Sequence, residues 1–295
     1  MKKILLTFIL TAMATVSLAA APSAFEFFQA VKYGDRSEVQ RLIKAGAGVN
    51  WIYDDMTMIM AASDGYDIAM IKLLIDNGAK VNIKTPGNKV TALIYLASLK
   101  GGKPGIVIEI MEMLVKAGAD INAVDYQKWN TLMHAVNEKN DIQMIQFLLR
   151  NKININHQSV SGETALYIAA RCGYAEIVDV LMKAGANPRL LKREKQFQNA
   201  ALHAAVSGGH LGAVKAMLDN GADVNIRTKG GFGLQTPLHV AVYNRNVEMV
   251  KLILKYKPDL RARDDVGATP LAYAKRGGGP ELAEIIGLLK RAGAK

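Results

Sequence analysis

The feature that most constrains this chain is a stretch that cannot fold alone. Residues Gly162 to Asn187 read GETALYIAARCGYAEIVDVLMKAGAN. The pattern predicts two short amphipathic helices, Thr164 to Arg171 and Ala175 to Ala184, joined at a glycine turn and ended by a second glycine. Helices this short are unstable in isolation, so the apolar stripe of Ile177, Val178, Leu181 and Met182 must be covered by something else. Copies of the same stretch before and after it are the available cover. Aligned on its threonine, they begin at Thr57, Thr91, Thr131, Thr164, Ala200, Thr236 and Thr269, at spacings of 34, 40, 33, 36, 36 and 33 residues. A period of this length points to a helical array, in which each unit is stabilised by its neighbours.

The residues that recur have physical reasons to do so. Thr236-Pro237-Leu238-His239 opens one unit, with Thr269-Pro270-Leu271, Ala201-Leu202-His203 and Thr131-Leu132-Met133-His134 as partial copies. Proline is harmless in the first turn of a helix, where its missing amide would have no partner. Alanines such as Ala169, Ala170, Ala204 and Ala205 keep the first helix thin enough for neighbours to approach. Gly78, Gly118, Gly185 and Gly221 follow the second helix, where a left-handed residue ends it. Each unit closes on an asparagine, as in NGAKVN ending at Asn82 and NGADVN ending at Asn225.

These residues resemble the ankyrin repeat family over almost everything after the first 21 positions. The resemblance implies an all-α ankyrin-repeat solenoid of helix-turn-helix units, with segments such as Ala222 to Gln235 projecting as hairpin-like fingers. It also implies that His134, His203 and His239, read as the fourth residue of the signature, hydrogen-bond backbone between adjacent units. Residues 24–54 keep two helices but lack the signature, as an N-terminal cap would. Seven repeats follow within a domain spanning 22–295. The helix expected from Pro280 to Ala292 gives the last repeat a wettable outer face through Glu281, Glu284, Lys290 and Arg291, so that it doubles as the C-terminal cap.

The first 21 residues read differently. Lys2 and Lys3, an apolar run from Ile4 to Leu10 and small residues at Ala19 to Ala21 follow the order of a cleavable signal peptide, so a periplasmic or secreted location is expected. A single cysteine, Cys172, fits an oxidising compartment with no disulfide framework.

Departures from the repeat are where individuality is expected. Gly101-Gly102-Lys103-Pro104-Gly105 lengthens one helix-helix turn and Gly277-Gly278-Gly279-Pro280 another. Two fingers are longer, and these carry Arg189, Lys192, Arg193, Lys195 and Phe197 on one, and Arg227, Lys229 and Phe232 on the other. Trp51 and Tyr53 fall on the first finger, Tyr126 and Trp129 on the third. Aromatic residues are favoured anchors of protein interfaces. The charge is lopsided: residues 22 to 188 hold 17 Lys and Arg against 17 Asp and Glu, whereas residues 189 to 295 hold 18 against 9. A basic half steers acidic partners. Nucleic acid is not expected, because aromatic platforms are not interleaved with the charges.

No phosphate-cradling glycine loop, zinc spacing or nucleophile elbow is present. Cys172 beside Arg171 lacks a base in pattern with it, and His157 stands alone on a finger. Met56, Met58 and Met60, with Met111, Met113, Met133 and Met144, bring thioethers together that could take Cu(I). If Met56 and Met60 lie on one helix they share a face that Met58 does not, which favours core filling. The expectation is therefore a monomeric, non-catalytic scaffold with no cofactor and no metal, binding an acidic protein partner in a groove of fingers and inner helices. An inhibitor or protective partner of an envelope enzyme or toxin is the alternative, and a thiol- or methionine-based metal or redox protein the third reading.

Overall fold

A computed structural model describes residues 21–99, 103–138, 142–193, 198–230 and 233–295. The signal-peptide segment and the inserted Gly101 and Gly102 lie outside them. The described residues hold sixteen helices and two short hairpins, and the chain divides into two compact units, Met1–Ile83 and Lys84–Lys295.

In the first unit, α1 (Ala24–Lys32) and α2 (Arg36–Lys44) precede the hairpin β1 (Ile52–Tyr53) and β2 (Met56–Thr57). The pair α3 (Met58–Asp64) and α4 (Ile68–Asp76) follows. Ser23 caps α1 by a reciprocal capping box with Glu26. α1 packs on α3, burying Phe27, Phe28 and Val31 with Met58 and Met60, and α3 packs on α4, where Met70 and Leu74 are buried.

In the second unit, the helices that open each pair are α5 (Ala92–Ser98), α7 (Thr131–Asn137), α9 (Ala165–Cys172), α11 (Ala201–Ser207), α13 (Pro237–Tyr243) and α15 (Pro270–Arg276). Those that close them are α6 (Pro104–Lys116), α8 (Ile142–Arg150), α10 (Ala175–Lys183), α12 (Leu211–Asp219), α14 (Val247–Leu254) and α16 (Pro280–Arg291). Each opening helix packs on the next, from α5 through to α15, and α10, α12, α14 and α16 pack in sequence behind them. The alanines allow this approach: Ala169, Ala170 and Ala205 are fully buried. Beyond α10, the hairpin β3 (Leu191–Arg193) and β4 (Gln198–Ala200) forms one finger.

Capping sets where each opening helix starts. Thr57, Thr91, Thr164, Thr236 and Thr269 each accept the amide three residues on. Ala200 has no such side chain, and there the ring of His203 accepts the Ala200 amide instead. In the third repeat the cap is Asn130, which accepts from the Met133 amide at 3.0 Å. The signature read from Thr131 is therefore one residue out of register.

At the far end of each pair Gly78, Gly118, Gly185 and Gly221 are left-handed, as expected, at φ between 81° and 90°. The closing asparagines then tie one finger to the next. The Oδ1 atoms of Asn122, Asn156 and Asn225 accept from the amides of Asn154, Asn187 and Asp259 at 2.7, 2.8 and 2.7 Å. In the first unit Asn50 does the same for Lys80, at 2.7 Å.

Candidate partner-binding surface

Three fingers of the second unit end in turns closed alike. The Lys128 amide donates to the Asp125 carbonyl, Gly162 to Ser159 and Gly267 to Asp264, at 3.1, 2.9 and 3.1 Å. The fourth residue of each turn is left-handed, which suits glycine and costs Lys128 some strain. The second residue of each turn reaches the preceding finger: Tyr126 to the Asn88 carbonyl at 2.9 Å, Val160 to Gln127 at 3.0 Å and Asp265 to Gly233 at 3.3 Å. A row of finger ends is thus held by backbone, and it presents apolar side chains to solvent. Tyr126, Val160 and Val266 are 63%, 64% and 62% exposed, and Leu234 is 43% exposed.

A second row comes from helix register. Counting seven residues from each cap gives Arg171, Ser207, Tyr243 and Arg276 in the last turns of α9, α11, α13 and α15. All four are exposed, Tyr243 by 71%. Sequence reading missed Val160, Val266, Tyr243 and Arg276. For Tyr243 and Arg276 the signal was the count from the caps Thr236 and Thr269, whereas Val160 and Val266 are set by the finger turns and carry no such signal.

The expected site residues are placed unevenly. Trp51 and Tyr53 turn inward: the Trp51 ring meets Phe27 edge-on at 6.2 Å, and Tyr53 packs on Phe25 and Phe28 at 5.5 and 5.1 Å. Trp51 also lies over Gly48, where a Cβ would come within 2.5 Å of its indole nitrogen. Much of their aromatic surface is spent on joining the first finger to α1. Trp129 is half-buried against His134, whereas Tyr126 on the same finger stays open.

Arg189, Arg227 and Lys229 are exposed. Arg227 donates to the Arg263 carbonyl at 2.9 Å, and Lys229 exchanges backbone bonds with Gln198. Lys192 is not a free cation: it is 18% exposed, lies 3.6 Å from Glu163 and stands over the Tyr167 ring. Lys195, Phe197, Phe232 and the side chain of Arg193 lie outside the described residues.

The histidines divide. His203 and His239 donate from Nε2 to the carbonyls of Gln235 and Ala268, at 3.0 and 3.1 Å, and accept backbone amides at Nδ1. Those partners fix the neutral tautomer. Burial pushes His203 down to about 4 and lowers His239, with the accepting carbonyls opposing the shift in both. His134 departs from the expectation. With the cap at Asn130, buried Met133 takes the signature position, and His134 sits one residue on, 3.2 Å from Ser98 Oγ and 2.9 Å from Asp125 Oδ2. His157 also has a structural role, bonding the Lys128 carbonyl at 2.7 Å. His210 bonds the Arg171 carbonyl at 3.0 Å, and its ring fills the space that a Cβ on Gly173 would enter.

Cys172 is half-buried at the end of α9, beside Tyr174, whose hydroxyl is raised chiefly by burial. Met56 lies on β2 rather than on a helix, while Met58 and Met60 are buried in α3. The three thioethers therefore do not share one helix. Among the described residues no cluster of His, Cys, Asp or Glu has a metal-holding arrangement. No described helix is long and apolar enough to cross a membrane.

A model of ankyrin repeats matches residues 27–125, 132–228 and 202–294. The chain belongs to the ankyrin repeat family, whose repeats generally mediate protein–protein interaction and are typically non-catalytic. It is similar to an ankyrin repeat protein of Fowlpox virus (strain NVSL), 32% identical over 53% of this chain and 47% of the viral protein. It is also similar to an ankyrin repeat protein of Rickettsia felis, 31% identical over 42% of this chain and 40% of that one. A palmitoyltransferase of Homo sapiens, ZDHHC13, is 25% identical over 80% of this chain and 36% of its own length. The chain thus spans less than half the length of each of these relatives.

Proposed function

We propose that this chain is a non-catalytic binding module that holds a protein partner against the finger ends and the exposed last turns of the opening helices in Lys84–Lys295. The observation that carries this reading is the adjacent pair Tyr126 and Val160. Both are apolar and largely exposed, and their finger ends are joined by the bond from Val160 to the Gln127 carbonyl. An apolar surface on a backbone that is already ordered loses little conformational entropy on binding. Its tyrosine is of the kind that dominates interface energy.

The order of charge, apolar run and small residues at the N-terminus supports export, and on that reading the partner is one of the periplasm or of the outside of the cell. Site-specific photo-crosslinking in the producing cell tests the binding surface. A photoreactive residue at 126 or 160 is expected to capture one protein, while the same group at Glu176, exposed on α10, captures none. Equal capture from all three positions would contradict the surface assigned here.

A further inference from the structure

The basic excess of the C-terminal half is not free everywhere. On α12 and α14 the lysines meet acids: Lys215 pairs with Asp219, and Lys251 lies between Glu248 and Glu284 at 2.9 and 3.0 Å. The 260 Å³ hollow between these helices, floored by Leu211 and Leu252, is therefore close to neutral. On the fingers, Arg227 and Arg263 give guanidinium protons to the carbonyls of Arg263 and Gly267.

The turns after α13 and α15 differ. Arg245 stands exposed in the first, and Lys275 and Arg276 end the helix before the second. Among the described residues none of the three has an ion pair. The long glycine turn Gly277-Gly278-Gly279 follows Lys275 and Arg276 directly and runs past Arg245, while the Arg276 guanidinium lies over the Tyr273 ring of its own helix, 5.7 Å from its centre. A Cβ built on Gly277 would lie 3.8 Å from Arg245 Nη2 and 2.5 Å from a Leu282 methyl, and one on Gly279 would lie 3.6 Å from Arg245 Nη1. The Arg245 guanidinium thus rests within van der Waals reach of the turn, and it is Leu282 that a side chain at Gly277 would meet. Glu281 is the carboxylate this loop brings up, its Oε2 3.3 Å from the position of a Gly279 Cβ that also lies 3.6 Å from Arg245 Nη1. Tyr243 shares its register position with Arg276 on the neighbouring helix, and neighbouring helix axes run about 8–10 Å apart.

Resting on the protein-binding reading above, we infer that Tyr243, Arg245, Lys275 and Arg276 form a docking patch for an acidic segment of the protein partner. Cations on adjoining turns with no acid paired to them are open to carboxylates, and planar guanidinium groups favour carboxylates in paired geometry. An extended segment places same-side residues about 7 Å apart, which lets successive acids reach the two turns. The Tyr243 ring supplies the apolar contact beside them.

The test uses the full chain and a fluorescein-labelled peptide of alternating Glu and Asp, followed by anisotropy at low and physiological salt. The Arg245→Ala/Lys275→Ala/Arg276→Ala variant is expected to weaken binding by about tenfold or more. The Lys255→Ala/Lys257→Ala/Lys290→Ala variant, which removes the same charge elsewhere, is expected to change it by no more than about twofold. If the patch variant loses helicity, Lys275→Gln/Arg276→Gln alone carries the comparison. Equal weakening by both sets would overturn the inference, because a general field would then suffice. It is also overturned if duplex DNA or phosphatidylglycerol vesicles, rather than the peptide, lose binding in the patch variant. Continued photo-capture at position 126 alongside either result would leave the protein-binding reading standing and remove only this patch.

Discussion

At the scale of single residues, His203 shows how one side chain joins two repeats and carries a pH dependence with it. Its ring accepts from Ala200, donates to the Gln235 carbonyl and is almost wholly buried. Burial holds the folded-state imidazole at about 4, against an ordinary value of 6.5. As pH falls, the unfolded chain takes up this proton first. The stabilisation is complete above about pH 6.5 and is lost as pH drops toward 4, by an amount on the order of 3 kcal/mol. His239 acts in the same direction. The Cε1 proton of His203 is expected to show no titration in NMR spectra above about pH 5, and a midpoint near 6.5 would contradict the buried neutral ring. The signature alone supports this role for His203 and His239. For His134 it misled, because asparagine and threonine are adjacent there and both can cap a helix. The choice between them shifts every following position by one.

At the scale of elements, a helix pair survives only because the next pair covers it. Leu181 on α10 is fully buried. Its truncation in Leu181→Ala is expected to cost about 2–5 kcal/mol in denaturant unfolding, as buried leucines do. A cost under about 0.5 kcal/mol would mean that α10 is not packed as described. This level was the most legible in the sequence. The expected helices Thr164 to Arg171 and Ala175 to Ala184 are found at Ala165–Cys172 and Ala175–Lys183, because alanine spacing, caps and terminal glycines act locally. The glycine turn before α16 was visible as an insertion, but its purpose was not. Only the fold sets Arg245 over it, from a turn more than thirty residues earlier in the chain.

At the scale of the whole molecule, composition told less than arrangement. The surplus of nine positive charges after Pro188 is real, yet Lys192, Lys215 and Lys251 are engaged with acids of their own chain. Counting charges cannot distinguish these from Arg245, Lys275 and Arg276. Aromatic residues divide in the same way, since Trp51 and Tyr53 serve the first finger while Tyr126 and Tyr243 are left to solvent. Sequence position showed which residues lie on fingers, but exposure at a finger end depends on the neighbouring finger. The most direct test of the binding surface is the affinity of the photo-captured partner for Tyr126→Ala/Val160→Ser, measured by calorimetry with the purified chain. We expect a loss of about tenfold or more with the melting temperature unchanged, and an affinity within about twofold of the parent would contradict a partner held at the finger ends.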